Sequence, residues 1–460
     1  MDASGSRADT APAEREASLV RAIGPGLLLF FIVGDMIGGG IYALVGDIGA
    51  ITGGAIWTAF AFAMLLAVFI AFAYAELVTK YPRAGGAASY VHRAFRTPLL
   101  SFLVAFAVVL SGITSASALS LAFGGDYLSE FIPLPAVLAA LLLFLLVQFL
   151  NFRGISESMK VNATFTTIEL LGLLLIVAIG VVATMSGVGE AGRAFEFKGG
   201  GSAPGLILAG AALAFYALIG FEDSVNLAEE ARDPVRTYPR VLFGGLFIAG
   251  TIYLLVTIAS AMAVPLSRLT NPDSTALLEV AQTGPLAVPV KLFALIGLFA
   301  LSNGVLLNMV MASRLIYGMA DQGVMPSVLG RIHPQRRTPW VAIIFITVIA
   351  VGLIATGDVA SLASATVVLL LLVFIAVNVT VLALKRDRVD HDHFKAPAVI
   401  PVLGIIVCAG LLTQQELATF RLVGMLLVLG VILYGVNYLA KRALDKSTPQ
   451  ASSQTSDRAR

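Results

Sequence analysis

The sequence predicts an all-α polytopic membrane protein with about 12 transmembrane helices. Of its 460 residues, 58% are apolar and 13% charged, against roughly 25% charged in an average soluble protein. The apolar residues fall in long blocks: 26–48, 60–76, 136–149 and 367–384 each carry at most one or two charges. About 20 such residues cross the ~30 Å hydrocarbon layer. The blocks are continuous rather than alternating, which argues against a membrane β-barrel. A soluble enzyme, a disulfide scaffold and a disordered chain are excluded.

Twelve candidate spans follow in order: 26–48, 53–78, 98–122, 133–151, 161–185, 204–232, 240–264, 286–314, 340–356, 360–384, 397–413 and 419–440. Their connections fix an expected orientation. With the N-terminus inside, 25 of the 30 Lys and Arg residues lie on the inner side and five (Arg193, Lys198, Arg268, Lys291 and Arg421) on the outer side. Positive-inside bias therefore places both termini in the cytosol. Residues 1–22 lack an apolar core and read as a cytosolic tail rather than a cleavable leader, and 442–460 read as a second tail. The net charge of +2 gives no nucleic-acid footprint, and Cys408 is the single cysteine, so no internal disulfide can form.

Two spans are interrupted near their middles. The first contains Gly38-Gly39-Gly40, and the sixth contains Gly220 within Phe215-Tyr216-Ala217-Leu218-Ile219-Gly220-Phe221-Glu222-Asp223. Consecutive glycines weaken a helix by roughly 1 kcal/mol each relative to alanine, which favours unwinding over simple close packing. The two breaks lie five spans apart. A unit repeated after an odd number of crossings enters from the opposite face, the inverted-repeat arrangement of many transporters, whose matched broken helices mark a midplane site.

The residues around these breaks resemble a known family. Gly34-Asp35-Met36-Ile37-Gly38-Gly39-Gly40-Ile41-Tyr42 is similar to the IGxGIF signature in the first helix of the amino acid–polyamine–organocation superfamily. AYAELVTKYPRAGGAASYVHRAF at 73–95 resembles its second helix end and following loop, NLAEEARDPVRTYPR at 226–240 its segment after helix 6, and ASRLIYGMADQGVMP at 312–326 its segment after helix 8. The four span residues ~20–390 in the family's order. The resemblance implies a five-plus-five inverted repeat, read here as 23–186 and 204–385, with helices 11 and 12 (396–441) outside it. It also implies alternating-access transport of amino acids or related amines, with the substrate's charged groups held at the two breaks.

Helix polarity points the same way. An outward-running first span restarts near Gly40 with free N–H groups, a positive end suited to a carboxylate. Its inner half, and the outer half of the sixth span, end there in free carbonyls suited to an ammonium. Substrate contact is therefore expected at the breaks, at Ile37, Gly38, Gly39, Gly40, Ile219 and Gly220. Phe215 and Tyr216 are added because the break beside them resembles the family's site, where they either gate the cavity or simply pack or face lipid.

The spans hold acids without matching bases. Asp35 precedes the glycines by one turn, Glu169 lies mid-span, and Glu222 and Asp223 sit at the second break; no Lys or Arg lies at comparable depth, and the four histidines fall in inner connections. Intramembrane ionisable groups are costly and default to function, so these four acids are the candidates for ion or proton coupling. One of Glu222 and Asp223 can instead cap the inner half-helix, and Glu76, Glu229 and Glu230 fit interfacial ion pairing with Lys80, Arg83 and Arg232. Glu169 stands where some proton-coupled relatives carry lysine, so that lysine's role does not transfer. Ser111, Thr114, Ser115, Ser302, Asn303 and Asn308 fit either the pathway or helix–helix hydrogen bonding.

These readings predict a plasma-membrane secondary transporter of amino acids or polyamines, with cationic substrates preferred and a proton, or else sodium, as coupling ion. An exchanger or facilitative uniporter is the alternative within the class. A channel fits paired broken helices less well, and a membrane enzyme would need a nucleophile or metal constellation at depth. No cofactor, metal or nucleic-acid partner is expected; the small-molecule substrate and the lipid bilayer are.

Overall fold

The computed structural model describes residues 23–82, 86–153, 155–228, 231–271 and 275–447. They form α1 (Pro25–Met36), α2 (Gly40–Thr52), α3 (Ile56–Lys80), α4 (Gly86–Phe95), α5 (Pro98–Ala122), α6 (Ala136–Arg153), α7 (Ile155–Met185) and α8 (Ala203–Ala217). Then come α9 (Pro234–Ala263), the short α10 (Leu266–Leu269) and α11 (Ala276–Ala281), α12 (Val290–Asp321), α13 (Trp340–Ile354), α14 (Val359–Leu384), α15 (Val399–Leu412) and α16 (Leu417–Ser447). Among the described residues there is no strand, only two isolated bridges, Ile23 to Ala231 and Gly53 to Phe197.

Nine helices among the described residues are long and apolar enough to cross a membrane, and ten if α1 and α2 count as one bent span. The remaining two predicted spans fall on the shorter apolar helices α13 and α15. At ~1.5 Å per residue these reach ~20 Å each, short of the ~30 Å of a full crossing. Proline opens α1, α5, α8 and α9 within their first two residues, where its missing N–H costs nothing. Boundaries shift where polar residues extend a helix. α16 continues to Ser447 past residue 440, because Ala440-Lys441-Arg442-Ala443-Leu444 are good helix formers. α12 likewise runs to Asp321, so Arg314 lies two turns inside the helix rather than at its end, its Nη1 donating to the Val310 carbonyl at 2.7 Å.

Both expected interruptions are present. α1 ends at Met36 and α2 begins at Gly40, at an angle of 43°. α8 ends at Ala217; Gly220 then takes φ +130°, and the chain resumes as a tight 3₁₀ helix over Phe221–Leu227. That φ is open to glycine at little cost.

The helices pack so that α2 lies along α8, α3 along α9, α5 along α12 and α6 along α13. Small residues permit the closest approaches, as expected where lipid offers no hydrophobic drive between helices. A β-carbon on Gly34 would lie 2.9 Å from Thr166 of α7, and one on Gly39 would lie 2.7 Å from Leu301 of α12.

At one end of the bundle, the segment after α14 straps across the end of α3. Glu76, 3% exposed, pairs with Lys385 rather than with Lys80, and accepts the Ala396 N–H at 2.8 Å. Lys80 donates instead to the Leu384 carbonyl at 2.7 Å. Arg83, Glu229 and Glu230 lie outside the described residues.

Candidate functional site

A cavity of about 50 Å³ lies where the two broken spans meet. Its wall combines Asp35, Met36 and Gly38–Gly40 from the first break with Tyr216, Ala217, Ile219, Gly220 and Asp223 from the second. Ser115 and Leu119 of α5 and Gly304 and Asn308 of α12 complete it.

The glycines there do different jobs. A β-carbon on Gly40 would lie 2.9 Å from the Ala217 Cα and 3.2 Å from Tyr216 Cδ1, so this glycine lets α2 touch α8. Bulk at position 40 therefore tests helix contact as much as substrate approach. Gly38 is different: the only neighbour its β-carbon would meet is the Asp35 carbonyl oxygen at 3.4 Å. A β-carbon on Gly220 would fall 2.9 Å from the Asp35 carbonyl carbon, which brings the two breaks into direct contact.

The polar groups are sorted by the same geometry. In α2 the Ala43 N–H bonds the Gly39 carbonyl, which leaves the N–H groups of Gly39, Gly40 and Ile41 without an acceptor inside the helix. The Met36 carbonyl, at the end of α1, accepts the Tyr253 hydroxyl at 2.5 Å. Oδ2 of Asp35 is buried without a hydrogen-bond partner. Asp223 also lines the cavity. Glu222 does not; its Oε2 accepts the Gly220 N–H at 2.9 Å, so this acid secures the break from within. On the opposite wall, the Tyr216 hydroxyl and Ser115 Oγ share a hydrogen bond at 3.0 Å, and Asn308 Nδ2 donates to the Gly304 carbonyl at 2.8 Å.

Glu169 stands apart from the cavity. It is fully buried on α7, neither carboxylate oxygen has a hydrogen-bond partner, and Asn303 of α12 is its polar neighbour. Asn303 in turn donates to Thr166 Oγ1 at 3.3 Å and has its own Oδ1 unpartnered. The Tyr42 hydroxyl donates to the Glu169 backbone carbonyl at 2.8 Å. An unpaired buried carboxylate is costly.

The structure thus gathers Gly38, Gly39, Gly40, Tyr216, Ile219 and Gly220 of the predicted contact residues, and Asp35 and Asp223 of the predicted acids. Ile37 and Phe215 are buried in packing instead, Phe215 edge-on to Phe374 at 6.0 Å. Met36, Leu119, Ala217 and Gly304 line the cavity without having been singled out. Leu119 and Gly304 carry no chemical signal; only the packing of α5 against α12 brings them there.

A bundle of apolar helices whose two interrupted spans meet around a small cavity is the architecture of one class, the membrane permeases. Within it, this chain belongs to the amino acid permease family, whose family model matches residues 27–431. The chain is 26% identical to the branched-chain amino acid permease BcaP of Bacillus subtilis (strain 168), over 91% of this chain and 93% of the relative. It is also 26% identical to the low-affinity putrescine importer PlaP of Escherichia coli (strain K12), over 87% and 88%. A third relative, the vacuolar cationic amino acid transporter 4 of Arabidopsis thaliana, is 31% identical over 77% of this chain and 61% of its own length.

Proposed function

We propose that this protein is a secondary active transporter of amino acids or related amines across the plasma membrane, working by alternating access and coupled to protons. The carrying observation is the cavity itself, lined by both the start of α2, whose first N–H groups lack a helical acceptor, and the carboxylates of Asp35 and Asp223. In this reading Gly38–Gly40 receive the substrate's anionic end, and Asp35 and Asp223 receive its ammonium. The three relatives are named for branched-chain amino acids, putrescine and cationic amino acids, and all of these carry an amine.

Cationic substrates are preferred, because no Lys, Arg or His lines the cavity among the described residues and charges in a poorly screened interior interact strongly. Glu169, outside the cavity, is the leading coupling group, with Asp35 as the second. Alternating access draws support from the pairing of helices five spans apart (α2 with α8, α3 with α9, α5 with α12, α6 with α13), the arrangement expected of two inverted repeats over 23–186 and 204–385. At about 50 Å³ the cavity has room for a few waters but not for a whole amino acid or diamine. Admission of a substrate therefore requires α2 and α8 to move relative to α5 and α12. The Lys and Arg bias supports a cytosolic side for both termini.

The test is a thermal-shift titration of purified protein with arginine, putrescine, leucine and glutamate at one pH. A ligand at 100 times its Kd stabilises by about 2.7 kcal/mol, and arginine or putrescine is expected to give the largest shift. Tightest binding by glutamate overturns the charge argument; stabilisation by none of the amines overturns the assignment.

A further inference from the structure

We propose that the loop between α12 and α13, with the adjoining end of α6, forms a docking surface for the phosphate headgroup of an anionic membrane lipid. The loop carries Arg331, Arg336 and Arg337, all exposed. Between Asp321 and Asp358 the chain has no acidic residue. Among the described residues none of these arginines makes an ion pair.

The end of α6 is held against this loop. Thr338 Oγ1 donates to the Phe152 carbonyl at 3.1 Å, and the Phe152 ring meets the His333 ring edge-on at 5.2 Å. Arg153 follows Phe152 directly, and its guanidinium lies 5.8 Å from the ring of Phe149. A fourth cation thus joins the three on the loop from a separate helix, again without an ion pair among the described residues.

Apolar side chains stand among these charges. Val328 is 48% exposed, Ile332 46%, Trp340 37% and Phe149 55%. Exposed aliphatic groups beside arginines suit neither water nor a soluble anion alone, whereas a lipid offers phosphate and acyl chain together. Tryptophan and arginine at a helix end are the residues that settle at the headgroup level, and basic pockets between transmembrane helices take acidic headgroups. Two arginines after α14 lack this setting. Arg386 and Arg388 are interleaved with Asp387, Asp390 and Asp392, and Asp387 is already bound by Arg93.

The charge complementarity commits the surface to an anionic phospholipid, with free phosphate and a zwitterionic lipid as the controls. Purified protein would be titrated with short-chain phosphatidylglycerol, phosphatidylcholine of the same chain length, and inorganic phosphate, with bound lipid counted by native mass spectrometry. The wild type should retain phosphatidylglycerol over phosphatidylcholine. R331Q/R336Q should weaken that retention roughly 30-fold, since each arginine near an anionic surface contributes about 1 kcal/mol and about 1.4 kcal/mol is tenfold. R386Q/R388Q should leave it unchanged, and melting in phosphatidylcholine checks that both variants fold. Equal retention of the two lipids by wild type, equal loss in the two variants, or phosphate competing at the lipid's own concentration would each overturn the proposal.

Discussion

Replacing Gly38 by alanine separates substrate contact from helix packing more cleanly than any other change at the site. Gly38 lines the cavity, has no positive φ, and would bring its new methyl within 4 Å of one neighbour only, the Asp35 carbonyl oxygen at 3.4 Å. The fold should therefore tolerate it, and losing a glycine's freedom in the unfolded chain should add about 0.4–1 kcal/mol of stability. The methyl would take up part of a cavity of only about 50 Å³. Overpacking of this kind costs about 1–3 kcal/mol, which weakens ligand binding roughly 5- to 150-fold. Gly40→Ala provides the contrast, because its methyl would strike the Ala217 backbone at 2.9 Å and should lower the melting temperature as well. The assay is binding of labelled arginine, putrescine and leucine to each purified variant, paired with its melting curve. A Gly38→Ala protein that melts normally and binds like wild type would refute the assignment of the first break to the substrate.

Three further outcomes follow from the same geometry. Gly220→Ala must hold alanine at φ +130° against the Asp35 backbone, and a cost of about 1–3 kcal/mol should appear as a lowered melting temperature; an unchanged one would show that the break relaxes freely. Glu169→Gln should leave substrate affinity within about twofold, because Glu169 does not line the cavity; a large loss of affinity would place Glu169 at the substrate instead. The Tyr81 hydroxyl at 2.6 Å, and then Arg93, hold the exposed Asp387 carboxyl below the usual carboxylate range. Its contribution to stability is therefore present above the ordinary aspartate pKa and fades only as pH falls through the lowered one. Asp387→Asn should lower the melting temperature at neutral pH and flatten the acid limb, so that variant and wild type converge at low pH; a difference that persists at low pH, or none at neutral pH, would contradict this.

The fold was legible where one physical cause dominates. Unbroken apolar blocks can only be membrane helices, and three successive glycines can only weaken one, so α1 and α2 part where the sequence parts them. The site was legible in part, because an acid or a glycine at depth is conspicuous against an apolar background. Glu222 shows the limit. As a residue type it is indistinguishable from Asp223, yet one bonds the Gly220 N–H and the other faces the cavity. Phe215 and Tyr216 differ in the same way, adjacent in sequence and a helical step apart in direction, so that only Tyr216 reaches the cavity. Glu76 was legible as an interfacial acid, but its partner Lys385 is 309 positions away and no local pattern connects them. Arg314 moved inside α12 because helix ends depend on capping and packing that hydropathy does not register.

The central claim, concentrative transport driven by protons through the cavity at the two breaks, is tested most directly by uptake into proteoliposomes. Vesicles would hold wild type or Asp35→Asn, with an inward proton gradient, an inward sodium gradient, or neither, and labelled arginine, putrescine or leucine outside. Accumulation above the external concentration is expected with the proton gradient alone, and is expected to be lost in Asp35→Asn. Uptake that only equilibrates under every gradient, or that follows sodium and ignores protons, would contradict it.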